Sequence, residues 1–375
     1  MGKQAQITII SIFVFNYQQH SLNFSINLHR FNKNNLSDVK RLLTDKKKIL
    51  ITTHYNPDGD AIGSSLALYH YLKAKGHDVE VLIPNDVPQF LQWMPGIKDA
   101  IIYYHHSKKA DRMLKEAEII FCLDYNAFSR VNLFEKQLAE APGIKILIDH
   151  HPEPETQFDH MLSVIPVSST AELIYNFINA MGDGGMINVD MGVNIYVGMM
   201  TDTGSFSYAS NYPYTLETVA DLIKKGVDTE LVHRLVYDTY SENRMRLLGY
   251  CLSEKLVVMN EYSTAYISLT KEDLAKFSFQ PGDTEGVVNF ALSIKNISFA
   301  ALFTEKKESI RISFRSKSDF SVNEFAKAHY GGGGHKNAAG GDSSLSMEET
   351  LKQFTELLPQ YKEALVSAAQ KSSIL

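Results

Sequence analysis

Cysteine is scarce, with only Cys122 and Cys251 in a chain of 375 residues. Two thiols so far apart make neither a disulfide framework nor a CxxC metal knuckle, and Cys122, inside the apolar phrase IIFCLD, reads as a buried small hydrophobe. This usage suits a reducing, cytoplasmic setting. Positive charge is also short: 37 Lys and Arg stand against 43 Asp and Glu for a net of −6, without a long basic run or an aromatic-basic stripe. That disfavours a protein gripping long nucleic acid through a strong positive field, whereas small or short anionic substrates need only a few local cations or metals. Long apolar runs are missing as well. ITIISIFVF at 7–15 falls far below the roughly 20 residues of a spanning helix, and no small-x-small cleavage pattern follows it. An added edge strand or an extension is expected there in preference to an uncleaved anchor or export signal, and no stable membrane association is expected.

What is present is an ordinary globular composition, 44% hydrophobic and 21% charged, in a chain long enough for two or three domains. From Leu36 the pattern becomes regular. LSDVKRLLTDKK reads as a short amphipathic helix and KILITTH as a strand buried on both faces. DAIGSSLALYHYLKAKGH is a helix, with Ile62, Leu66 and Tyr69 on one side and Gly76 to stop it, and DVEVLIP is a strand. KKADRMLKEA and VNLFEKQLAEA read as helices between the strands EIIFCLD and IKILIDH; STAELIYNFINAM is a helix with a Ser/Thr start, and VNIYVGMMTDTG is read as a buried strand and turn. Strands separated by helices predict an α/β fold with a mostly parallel sheet.

The strand ends carry the chemistry. They bear His54, Asp58 and Asp60, then Asp124, then Asp149, His150 and His151, then Asp202. Open α/β sheets bind ligands beyond the carboxyl ends of their strands, so these positions are expected to converge. Five aspartates and three histidines in one crevice would repel or stay poorly solvated without a cation, and carboxylates with neutral imidazoles suit Mn²⁺, with Mg²⁺ as the alternative. A carboxylate bridging two ions sets them about 3.5–4 Å apart, and Asp124, alone on its strand end, is the natural bridge. Each of these residues alone has a structural reading: Asp58 a turn, Asp60 a helix cap, Asp202 a turn, His54 and His150 satisfied structural histidines. Their repetition after apolar strands favours the metal site. Gly59 is expected to permit the tight path of the first loop and Gly63 to keep its helix close to the sheet.

In the distal third, TAYISLT, VVNFALSI, ISFAALFTE and SIRISFRS read as strands of a smaller α/β domain. Alternation in RISFRSK puts Arg311, Ser313 and Arg315 on one side and Ile312 and Phe314 on the other. The run GGGGHKNAAG lets backbone amides approach a phosphate closely, though it also reads as a flexible turn.

THYNPDGDAIGS, CLDYN, IDHH and TDTG, in that order over about 150 residues, resemble the four motifs of the DHH phosphoesterases. YGGGGHKNAAGG at 330–341 resembles the glycine-rich signature of the associated DHHA1 domain, and the pairing is similar to the bacterial NrnA-like branch. The resemblance implies an N-terminal extension at 1–34, a DHH catalytic domain at 35–228, a helical linker at 229–250 and a DHHA1 substrate-binding domain at 251–375, with the active site in the interdomain cleft. It implies two divalent ions, one held by His54 and Asp58, the other by Asp60, His150 and Asp202, with Asp124 between them. Asp149 would orient a histidine and His151 would contact the scissile phosphate, making Asp124, Asp149 and His151 the catalytic set. Arg315, Gly332, Gly333, Gly334 and His335 would bind substrate.

The implied activity is hydrolysis of short RNA oligonucleotides to mononucleotides and of adenosine 3',5'-bisphosphate (pAp) to AMP and phosphate, by a cytoplasmic enzyme that is a homodimer in many relatives. Phosphodiesterase action on linear or cyclic dinucleotides, such as pApA or c-di-AMP, is the alternative within enzymes. A nucleotide-binding sensor without turnover is the alternative outside them.

Overall fold

In the computed structural model, which describes residues 31–207 and 212–373, the apolar phrases after residue 47 become the parallel strands of one sheet. The 7–15 segment lies outside the described residues. Two compact units divide the chain between Asp238 and Thr239. Among the described residues no helix is long and apolar enough to cross a membrane.

The first unit runs α1 (Lys33–Leu42), β1 (Lys48–Thr52), α2 (Gly59–Ala74), β2 (Asp78–Ile83), β3 (Ile101–Ile102), α3 (Tyr103–Glu116), β4 (Ile119–Leu123), α4 (Glu135–Glu140), β5 (Ile144–Asp149), β6 (His160–Ser163), α5 (Thr170–Ala180), α6 (Val189–Asp202), α7 (Pro213–Lys224) and α8 (Thr229–Tyr237). The sheet order is β3-β2-β1-β4-β5-β6, every pairing parallel. The central strands β1, β4 and β5 are mostly apolar because both faces are covered. Ile49, Ile51, Phe121, Ile146 and Ile148 pack in the core that includes residues of α2, α5 and α6, while Leu50, Ile120, Cys122 and Leu147 pack with residues of α3 and α4. The thiol of Cys122 is thus a core group, and burial pushes it up to about 12. The chain builds outward from β1 in one direction and from β4 in the other, so the order reverses between these neighbours, where open α/β sheets leave a crevice at the carboxyl ends.

Three readings of the sequence are corrected here. The strand read in VNIYVGMMTDTG is instead most of helix α6, begun by the Asn188 side chain accepting from the Met191 amide, and the expected turn follows at Thr203 and Gly204. An apolar run of this kind has no period that separates strand from buried helix; Gly198 serves helix contact, and only Gly204, at φ 53°, lies in the turn that follows. VVNFALSI is likewise no strand: Val287–Leu292 is a helix, with Gly286 at φ 78° before it, Val287, Val288 and Ala291 buried and Phe290 exposed. Of VNLFEKQLAEA, only Glu135–Glu140 is α-helical, because Asn132 takes φ 54° and breaks the turn before it.

The second unit contains α9 (Glu242–Tyr250), β7 (Leu256–Met259), β8 (Thr264–Leu269), α10 (Lys271–Lys276), α11 (Val287–Leu292), β9 (Phe299–Glu305), β10 (Ile310–Ser316), α12 (Val322–Tyr330), β11 (Gly333–His335), β12 (Ala338–Ser343) and α13 (Met347–Ser373). Its sheet, β11-β12-β10-β9-β8-β7, is antiparallel except for the parallel β8–β9 pair. One face packs the aromatic cluster Phe299, Phe303, Phe314, Phe325 and Phe354; the other packs Ile267, Leu302, Val288 and Leu247.

Candidate metal centre

The loop leaving β1 is pinned before it reaches the site. Thr52 and Thr53 donate their hydroxyls to the carbonyls of Phe121 and Leu123, both at 3.1 Å, which ties the end of β1 to β4. His54 Nδ1 lies 3.0 Å from the Tyr55 carbonyl, and the N–H it donates there turns Nε2 toward Asp124 Oδ2 at 3.5 Å and Asp58 Oδ1 at 3.9 Å. Asp58, not Asp60, caps α2, accepting the Asp60 and Ala61 amides, each at 3.0 Å. Asp60 instead accepts the Thr170 and Ala171 amides at 2.6 and 2.7 Å, so the first turn of α5 holds its carboxylate.

The two glycines of this loop act through α6. A Cβ on Gly59 would stand 2.2 Å from Thr201 Oγ1, and one on Gly63 2.4 Å from the Asn194 carbonyl. Gly59 therefore makes room for a side chain rather than a turn, and Gly63 brings α2 against a helix rather than against the sheet. Gly198 completes the contact, since a Cβ there would meet Ala171 Cβ at 2.5 Å and Asp60 Oδ1 at 2.8 Å.

Asp124 leaves β4 at φ 63° and sits at the middle of the cluster. Its carboxylate accepts the Thr170 hydroxyl at 2.9 Å and lies 3.6 Å from His150 Nε2 and 3.7 Å from His151 Nδ1. His150 Nε2 also faces Asp60 Oδ2 at 3.7 Å and Asp202 Oδ2 at 3.4 Å. Asp202 reaches this position from the last residue of α6. His151 donates Nδ1–H to Asp149 Oδ1 at 2.8 Å; Asp149 is wholly buried, and its other oxygen has no hydrogen-bond partner.

The electrostatics are those of a crowded acid site. Burial and the charges of Asp124, Asp202 and Asp58 push Asp60 well above the usual carboxylate range. Burial works against charge on Asp124 too, but His54, His151 and His150 outweigh it and hold that carboxyl low. Burial opposes protonation of His54 and is outweighed by Asp124 and Asp58, which raise it. Burial and the neighbouring His151 lower His150, whereas Asp149 overcomes the burial of His151 and raises it to about 9. Ligand-type atoms of His54, Asp58 and Asp124 lie within 4.8 Å of one another, and so do those of Asp60, His150 and Asp202. Oxygen and nitrogen ligands about 2.0–2.2 Å from one ion stand roughly 3–4.4 Å apart. The residues therefore fit divalent cations, and the crowding that raises Asp60 is what a cation would relieve.

The residues expected to bind substrate lie in the second unit. Arg315 is on β10, opposite Ala300 and Ala338, with Nη1 donating to the Phe314 carbonyl at 3.0 Å. Arg311, on the same face, is paired with Asp342 at 2.6 Å. Gly332 precedes the short strand β11, where Gly333, Gly334 and His335 pair with β12. Close approach explains two of these glycines: a Cβ at Gly332 would stand 1.9 Å from the Gly340 carbonyl, and one at Gly334 2.5 Å from that of Ala338. Sequence reasoning missed Thr170, whose amide and hydroxyl hold Asp60 and Asp124. The Ser/Thr start of α5 signalled a helix terminus but not what that terminus faces.

Comparison with known proteins agrees with this architecture. Residues 48–199 match the model of the DHH family, N-terminal domain, and residues 261–364 that of the DHHA1 domain. The bifunctional oligoribonuclease and PAP phosphatase NrnA of Thermus thermophilus is 29% identical over 85% of this chain and 91% of its own length. The Bacillus subtilis protein of the same name is 25% identical over 87% and 99%. The crystal structure of an exopolyphosphatase-related protein from Bacteroides fragilis superposes with a TM-score of 0.85 at 43% identity, covering 89% of this chain and 98% of that one. The chain belongs to the DHH family, and its second unit carries the DHHA1 domain.

Proposed function

We propose that this protein is a manganese-dependent phosphoesterase that hydrolyses short RNA oligonucleotides to mononucleotides and pAp to AMP and phosphate. The observation that carries this reading is the position of Asp124 beside both His54 and His150, where one carboxylate can serve two neighbouring ligand groups. Two relatives aligned over most of their length are named for both activities.

His54 and Asp58 would hold one ion, Asp60, His150 and Asp202 the second, with Asp124 shared. Bound there, the ions supply a nucleophile at neutral pH and offset charge on the phosphoryl oxygens. In the reaction the oxygen of water forms a new bond to phosphorus, the bond to the nucleoside oxygen breaks, and that oxygen takes up a proton. Thr170 and the first turn of α5 hold Asp124 and Asp60 in place; Asp149 fixes the His151 ring, and His151 contacts the phosphoryl oxygens. Arg315, the 332–334 glycines and His335 are assigned to the rest of the nucleotide.

The test is a product time course with purified protein, Mn²⁺ or Mg²⁺, and pAp, pApA, RNA dimers to pentamers, and a longer RNA. Release of AMP from pAp and of mononucleotides from the shortest RNAs is expected, fastest with Mn²⁺. Binding of these compounds without any product would establish a sensor instead, and selective cleavage of pApA would make the protein a dinucleotide phosphodiesterase.

A further inference from the structure

Arg130 belongs to none of the four motifs, yet the fold builds its backbone into the site. It lies in the 3-10 turn Phe128–Val131, six residues past Asp124. Its carbonyl accepts the Tyr55 amide at 2.8 Å, which joins it to the residue after His54. The same turn is tied to the segment beyond His151: Asn126 Nδ2 donates to the Pro152 carbonyl at 2.7 Å, and the Phe128 amide donates to Glu155 Oε2 at 3.2 Å. Three strand-end loops therefore fix where Arg130 starts.

Arg130 is exposed, and among the described residues no carboxylate forms an ion pair with it. Its backbone is bonded to the residue after His54 and its loop to the residue after His151, so the guanidinium springs from a point held by segments on two sides of Asp124. The five aspartates of the cluster leave two divalent ions with no positive surplus, and an anionic phosphate needs a further cation there. A guanidinium matches two phosphoryl oxygens with a planar fork of donors.

We propose that Arg130 is a substrate-binding residue of the first unit, donating its fork to the non-bridging oxygens of the phosphate that is cleaved. The inference rests on the phosphoesterase reading but not on which nucleotide is preferred. It is tested with Arg130→Ala and Arg130→Lys on two substrates, pAp and bis(p-nitrophenyl) phosphate, the latter offering a single phosphate. Binding of inorganic phosphate and of Mn²⁺ to the holoenzyme is followed in parallel by calorimetry.

The alanine variant is expected to lose on the order of 100-fold in kcat/KM on both esters. Phosphate binding should weaken at least roughly tenfold while Mn²⁺ affinity and melting temperature hold. Lysine should restore part of the loss by returning charge without the fork. Alanine activity within twofold of wild type, or a loss confined to pAp, would overturn the assignment, the second outcome placing Arg130 on a neighbouring phosphate. If the wild-type protein cleaves neither ester, the phosphoesterase reading fails, and unchanged phosphate binding in the alanine variant would still refute the Arg130 contact separately.

Discussion

At Asp124 the backbone adopts φ 63°, a region that an aspartate tolerates better than most residues, and the exit from β4 turns there instead of running on. The consequence is a carboxylate within 3.5–3.7 Å of three histidine nitrogens. Asp124→Asn keeps the shape and removes the charge, so turnover should fall by on the order of 100-fold or more, with loss of Mn²⁺ binding in titration calorimetry; substantial manganese-dependent activity would rule out the shared-ligand role. Thr170→Val tests the support beneath it. Only the hydroxyl donated to Asp124 is lost, the amide on Asp60 remaining. Metal affinity or kcat/KM should drop about tenfold with the fold intact, and an unchanged metal titration and rate would show the bond to be incidental.

Elements carry the precision of the site. Helices α2, α5 and α6 approach through Gly63 and Gly198, where an added methyl would meet backbone or a packed alanine. Gly198→Ala should destabilise the protein by about 1–3 kcal/mol in denaturant unfolding and also weaken Mn²⁺ binding, because Asp60 stands against the same atom. In the second unit, Thr270 caps α10, and Asp273 closes the capping box by accepting the Thr270 amide and hydroxyl and pairs with Lys255 at 2.7 Å. Burial opposes its charge, but Lys255, the Thr270 amide and Tyr250 hold its carboxyl at about 2. A depressed carboxyl contributes stability above its unfolded value and loses it as pH falls toward the folded one. Asp273→Asn should therefore cost about 1–2 kcal/mol near neutrality, and denaturant midpoints should show that gap closing between about pH 4 and pH 2. At this scale the sequence was least informative. Buried on nearly all sides, α6 shows no amphipathic period, and α11 is too short to display more than one face. The strands β3 and β6, of two and four residues, fall below any pattern that could reveal them.

For the whole molecule, divalent ions should couple to folding, since the first unit gathers carboxylates whose mutual repulsion an ion removes. At a free Mn²⁺ concentration 100 times its Kd, stabilisation of about 2.7 kcal/mol is expected, read as a rise in melting temperature that chelator reverses and that Asp124→Asn lacks. A melting temperature indifferent to Mn²⁺ in the wild type would count against a metal centre in the first unit. By itself the sequence determined that strands alternate with helices, that their ends bear acids and histidines, and that Arg311 and Arg315 share one face of a strand. Those features are local: side-chain period and residue type are written in consecutive positions. Only the tertiary structure decided that Asp202 arrives on a helix, that the start of α5 grips an aspartate 110 residues earlier, and that the Arg130 carbonyl takes the amide of the residue after His54. Contacts of this kind follow from how whole elements pack, and no short stretch of sequence contains both partners.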